Sequence, residues 1–340
     1  MRKIFLFLFL FLLDTIYCAN YPKDGTDRLV NVFTTLKTLN AGDYVSSVGA
    51  TQGLCWFRGG IRIAGTSGLV NFASPMPVDR EIFLDPDVSL NLQKDLILSG
   101  SVRIASSGYI SCGTGSFVGS KIILTGPLSL ETSTITCSFG ALDIEGNGNI
   151  IDFSKGAKLD ITATASLYLR NCILEGMDVN SLFASDKGTY FFDNVVMKTT
   201  AGSLGYISAI RPCKSINLLG DLYITGTTTF IMGCDFNFFN NAKLYLGSET
   251  RFRPYGSSFT IKHFGNKTGG FHFNGSIIEL YSLGTEIDFA VQDGNLIFEN
   301  DVTIFDNSLN KRFVAGPNCS IEMLGNAHVV LEDTVTFSIL

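Results

Sequence analysis

The sequence predicts an all-β fold, a right-handed parallel β-helix (β-solenoid) behind a short N-terminal capping segment, and three observations lead there. From about Val88 onward, apolar runs of three to five residues alternate with Gly, Asn, Asp or Ser. Inside the runs, as in Leu142-Asp143-Ile144 and Leu159-Asp160-Ile161, apolar and polar residues alternate as in a strand with one buried face. Segments also recur at multiples of 21: residues 89–98 match 215–224 at 215 − 89 = 126, and 320–325 repeat 215–220 at 320 − 215 = 105. A coil near that length, built of short strands, cannot bury its apolar residues alone, but stacked coils at the ~4.8 Å strand spacing can. One match departs from the rule, 141–151 against 320–330 at an offset of 179, so the coils are expected to vary in length.

The N-terminus opens Met1-Arg2-Lys3, followed by ten apolar residues from Ile4 to Leu13. A positive start and a short apolar run are the leading parts of a signal peptide, and the run is well short of the ~20 residues that span a bilayer. Cleavage after Cys18 or Ala19 fits best, and the bulky Tyr17 before Cys18 suits a lipidation site poorly. The expected organisation is a signal peptide over 1–19, an N-terminal cap over 20–60 and the β-helix over 61–340. Within the cap, Leu29, Val32, Phe33, Leu36 and Leu39 fall at helical spacing, with Asp24 or Thr26 as the N-cap, and predict a short helix over 27–40. At the other end, 328–331 and 334–337 read as strands up to Leu340 without a polar cap. Exposed strand edges invite pairing, so the last residues are expected to fold over, or the rod to associate end to end.

Composition narrows the function classes. Charged residues are 16% of the chain, below the ~25% usual for soluble domains. The net charge of −6 argues against nucleic acid, whose binding rests on Lys and Arg displacing counterions, and against a polybasic membrane patch. The strands are about half the ~9–11 residues of a membrane barrel, and a sandwich or propeller would show longer, hairpin-linked strands. The eight cysteines include no C-x-x-C pair and no Cys/His cluster, so no structural zinc is expected. No phosphate-binding loop or nucleophile elbow occurs, and no cofactor or metal is expected. Cys213 and Cys234, 234 − 213 = 21 residues apart, are the candidates for a disulfide. The alternative is that they are small apolar residues stacked inside the fold.

One stretch carries a resemblance. Leu142-Asp143-Ile144-Glu145-Gly146-Asn147-Gly148-Asn149-Ile150-Ile151-Asp152-Phe153, followed by Leu167-Tyr168-Leu169-Arg170-Asn171-Cys172-Ile173-Leu174-Glu175-Gly176, resembles the recurring coil of pectate-lyase-like right-handed parallel β-helices. The clear likeness covers about 35 residues. It implies a fold shared by bacterial surface proteins, autotransporter passengers and polysaccharide-cleaving enzymes, and fold alone does not fix activity. The family's lyases pair calcium-binding carboxylates with an Arg, and its hydrolases carry Asp pairs with Gly-His-Gly. Neither motif is present in this sequence.

Two function classes remain. The first is an exported, non-enzymatic β-helix, secreted or at the cell surface, with a surface, adhesive or structural role and a glycan or surface protein as partner. The alternative is a carbohydrate-active enzyme of the same fold, a polysaccharide lyase or glycoside hydrolase. Its candidate residues are Asp143, Glu145 and Asp152: Asp143 and Glu145 share one strand face, and Asp152 and Asp160 are expected one coil away; such a group could hold calcium or act as acid and base. A separate candidate for ligand binding is the basic-aromatic run Arg251, Arg253 and Tyr255, since Arg over an aromatic ring suits a sugar or carboxylate. His263 and His272 flank a Gly-rich loop with few ligand-type neighbours and read as structural or exposed.

Overall fold

A computed structural model describes the strands between Asn20 and Cys112. From residue 120 on it describes all but 132–133, 138–140, 162–164, 179–180, 185–187, 199–204, 208–212, 256–259, 266 and 308. The fold is all-β, parallel strands stacked as a β-solenoid, with one 3-10 turn at Leu280–Ser282 among the described residues. The signal-peptide region, the cleavage site and Cys18 lie outside them.

Each coil passes through three sheets in turn. The first sheet is a parallel ladder of Asn20–Tyr21, Tyr44–Val45, Gly68–Phe72, Val88–Leu92, Tyr109–Cys112, Thr134–Cys137, Lys158–Ile161 and Leu182–Ala184. From Gly205–Ile207 on, the corresponding strands pair through Thr228–Met232, Thr250–Pro254 and Ile277–Glu279. The second sheet starts at Asn31–Phe33 and includes Ala141–Glu145, Ser215–Leu218, Asp235–Phe239 and Ile261–Phe264. The third starts at Lys37–Asn40 and includes Ile150–Lys155, Leu222–Thr225, Lys243–Leu246 and Gly270–Asn274. Longer strands such as Ser166–Glu175 and Thr189–Lys198 bend around the corner and belong to both.

Two sequence expectations are corrected. Where helical spacing predicts a helix over 27–40, the described residues form strands Asn31–Phe33 and Lys37–Asn40, each paired to the next coil. The helix-like spacing is the product of two short strands close together in sequence, with Leu39 fully buried. The second concerns the repeats: the coils vary in length, as expected, and 21 is not their common period. The register advances by 236 − 216 = 20 residues from Ile216 to Phe236, and by 271 − 244 = 27 from Leu244 to Phe271. The repeats found in the sequence align strands from different sheets: Val88–Leu92 belongs to the first sheet, Ser215–Leu218 to the second, and 320–324 to the third. They report a shared strand–corner–strand unit rather than a shared position in the coil.

Corners explain why the units look alike. A chain that bends sharply between two strands needs a residue with positive φ, which costs an ordinary L residue ~1–2 kcal/mol and Asn or Gly less. Between the second and third sheets that place is taken by Asn147 (φ 50°), Asn171 (φ 47°), Asn194 (φ 54°) and Asn240 (φ 54°). Their carboxamides also link coils: Asn194 Nδ2 donates to Asn171 Oδ1 at 3.3 Å, and Asn171 Nδ2 donates to Glu145 Oε1 at 3.0 Å.

Inside the tube, alternate residues stack in columns. The N-terminal part is lined by Leu and Ile, such as Leu39, Ile61, Ile82, Ile122 and Leu142, all fully buried. The C-terminal part is lined by Phe: Phe273 stacks on Phe298 with ring centroids 5.7 Å apart, and Phe313 on Phe337 at 5.3 Å.

Two substitutions at one position test the left-handed corner. Asn171→Ala and Asn171→Gly remove the same carboxamide, so their difference isolates the left-handed backbone. Asn171→Ala is expected to be the less stable by about 1 kcal/mol in chemical denaturation. Equal stabilities would remove the corner explanation.

Candidate functional site

The candidate carboxylates sit on Ala141–Glu145 and Ile150–Lys155. Leu142 and Ile144 point into the core, which turns Asp143 and Glu145 outward on the second sheet. Arg170, opposite Glu145 on the next coil, places Nε 3.0 and 3.2 Å from the two Asp143 oxygens and Nη1 3.1 Å from Asp193 Oδ2. Burial works to lower the Arg170 pKa, but the two carboxylates outweigh it and raise it. The guanidinium also lies 5.0 Å from the centre of the Tyr168 ring, which stacks on Phe191 at 4.2 Å.

Glu145 accepts from Asn171 Nδ2 at 3.0 Å and from the Asn147 backbone N–H at 3.2 Å. Asp152 lies beyond the corner formed by 146–149, on the third sheet, and accepts from the Ser154 N–H at 2.8 Å. Asp160 follows on the first sheet, where burial above all raises its pKa. Asp152 and Asp160 are therefore in the same coil as Asp143, not one coil away, and the three sheets separate them. Chain continuity, not spatial convergence, made them neighbours in the sequence. Among the described residues no group of three or more His, Cys, Asp or Glu side chains is arranged to hold a metal ion.

The basic-aromatic run does come together. Thr250–Pro254 alternates Phe252 into the core with Arg251 and Arg253 outward. Their common partner is Glu279, fully buried on the next coil: Arg251 Nη1 donates to Oε1 at 2.5 Å, and Arg253 Nε to Oε2 at 2.6 Å. Arg253 also lies 4.8 Å from the centre of the Tyr281 ring. Tyr255 continues the outward series, over Gly233 of the preceding coil, and is 52% exposed. Glu279 went unread in the sequence. It stands 279 − 251 = 28 and 279 − 253 = 26 residues beyond its partners, and only the true coil lengths give those offsets meaning.

The histidines have structural partners. The His263 side chain is fully buried at an inward position, stacks on Phe238 at 4.8 Å, and puts Nδ1 2.6 Å from Asp293 Oδ1, with Lys267 Nζ 2.7 Å from Oδ2. His272 points outward with Nε2 3.0 Å from Glu299. Cys213 and Cys234 are buried thiols with Sγ atoms 2.7 Å apart. Among the described residues no helix is long and apolar enough to cross a membrane. No protein-family model, curated protein or solved structure matches the chain.

The two arginines that share Glu279 differ in exposure, 48% for Arg251 and 17% for Arg253. Removing the carboxylate leaves Arg253 desolvated and without this counter-charge. Glu279→Ala is therefore expected to destabilise the protein by about 3 kcal/mol, whereas Arg251→Ala, at an exposed partner, is expected to cost about 1 kcal/mol or less. Urea denaturation at neutral pH checks the ranking, and equal losses would mean that Glu279 is not a buried charge in solution.

Proposed function

We propose that the chain is an exported, non-enzymatic β-solenoid that acts at the cell surface or outside the cell in an adhesive or structural role. Its likeness to pectate-lyase-like coils then concerns architecture and not reaction. The observation that carries this reading is the engagement of outward charged side chains with neighbouring coils. Arg170 takes up Asp143 and Asp193, Lys198 holds Glu175, Arg251 and Arg253 hold Glu279, and Arg312 holds Asp288. A general acid or base must exchange its proton with substrate, and a carboxylate fixed by guanidinium and amide donors is poorly placed to do so. The same pairs suit a rod whose coils must hold register.

A surface of this kind contacts glycan or protein along its length. Incubation with polygalacturonate and other acidic glycans is expected to yield no cleavage, and screening on glycan and surface-protein arrays is expected to yield binding. Cleavage that is lost on substituting Asp143, Glu145 and Asp152 together would replace this reading with the enzymatic one.

Contact between rods belongs to the same proposal. On the last described coil, Met323, Val330 and Leu331 are exposed by 40–45%, and strand Arg312–Leu331 has its second partner only along Arg312–Ala315. Self-association through this edge is expected to give a concentration-dependent mass in light scattering, reduced by Met323→Lys with Val330→Lys. A monomer at all concentrations would exclude it.

A further inference from the structure

We infer that Cys213 and Cys234 form a disulfide that staples two consecutive coils. Each cysteine stands just before a strand of the second sheet, Ser215–Leu218 and Asp235–Phe239, and these strands pair directly with Ser215 opposite Asp235. That register sets the two residues diagonally across adjacent coils, and their sulfurs meet at 2.7 Å with both side chains buried. Cys172 and Cys319 are placed differently. Cys319 donates its S–H to the Val291 carbonyl at 2.9 Å, and Cys172 packs in the core column beside Val195. The bond would close one full coil, entering the Phe-lined part of the core through Phe230 and Phe236.

The chemistry needs a thiolate and an oxidant. The contact with Cys213 and burial both push the Cys234 thiol far above its ordinary range, which makes it a weak nucleophile once the chain is folded. Oxidation therefore belongs to the folding chain, before the coil closes. One cysteine thiolate attacks a low-molecular-weight disulfide such as oxidised glutathione, forming a mixed disulfide and expelling one glutathione thiolate. The second cysteine thiolate attacks the protein sulfur of that mixed disulfide and expels the other. Two protein thiols lose two hydrogens, and one glutathione disulfide becomes two thiols. Once the coil packs, the bond is shielded from reductants by the same burial.

The test refolds the full chain from denaturant, once in a glutathione redox buffer and once with excess reductant. Free thiols are then alkylated under denaturing conditions and mapped by peptide mass spectrometry. The expected result is a linked pair of peptides carrying Cys213 and Cys234 after oxidative refolding, with a thermal midpoint about 5 °C above that of the reduced protein. The double variant Cys213→Ala/Cys234→Ala is expected to keep the β-type circular dichroism spectrum and to melt at the same temperature in both buffers. Full alkylation of both cysteines after oxidative refolding, or their capture in bonds to other cysteines, would overturn the inference. So would an oxidant-dependent rise in midpoint that persists in the double variant. Because the reaction runs in vitro, its outcome is separate from whether the chain is exported.

Discussion

The structure depends on coil-to-coil backbone pairing. A strand of a solenoid finds its hydrogen-bond partners only in the coils before and after it, at a spacing of ~4.8 Å. Every side chain therefore has near-equivalents directly above and below, and the packing unit is the column rather than the strand. Inward columns of Leu and Ile give way to columns of Phe, where Phe230, Phe236, Phe252, Phe271 and Phe273 are all fully buried. Burial on this scale is the dominant favourable term in folding, and it exists only because the corners hold each coil in register.

The same spacing governs the outside. Two rings one above the other must stack, as Tyr168 does on Phe191 and Tyr223 on Tyr245, with centroids 4.2 and 4.3 Å apart. Stacked rings cover one another's faces and present mainly their edges outward, so these ladders stiffen the rod more than they offer a platform to a sugar. Tyr255 differs, since it lies over Gly233 rather than over another ring. Charges obey the same logic. Like charges one coil apart repel, and the third sheet accordingly sets Lys198 against Glu175 with 3.3 Å between Nζ and Oε1.

How much of this was legible in the sequence follows from which features are local. Alternation within a run and a small or amide turn former after it are local, and they gave the short strands and the turns between them. Coil length is not local. Ser215–Leu218 and 320–324 look alike because each has an inward Ile and Leu or Met at alternate places, although they lie in different sheets. Two short strands closely joined, with apolar residues at 32, 33, 36 and 39, imitate a helix for the same reason. Partnerships across coils, such as Glu279 with Arg251 and Arg253, were hidden until the coil lengths were known. The apposition of Cys213 and Cys234 was the exception, because that coil happens to be short.

His263 shows what the column rule demands of a polar residue. Its column runs through Phe192, Leu218 and Phe238, and a lone imidazole there would lose its hydration with little in return. The ring is accepted because it keeps the stacking its column requires, on Phe238, and because the next corner brings Asp293 to Nδ1. That approach leaves no room for a side chain at the corner itself: a Cβ on Gly294 would sit 2.2 Å from Nε2. Gly294 also has φ 93°, in the left-handed region that Asn147, Asn171, Asn194 and Asn240 occupy at other corners of this edge. Asn there would satisfy the backbone and collide with the ring, so a polar residue in the core dictates glycine on the corner of the following coil. Burial depresses the His263 pKa despite Asp293, which favours the neutral ring and lets it occupy a place that its neighbours give to Phe and Leu.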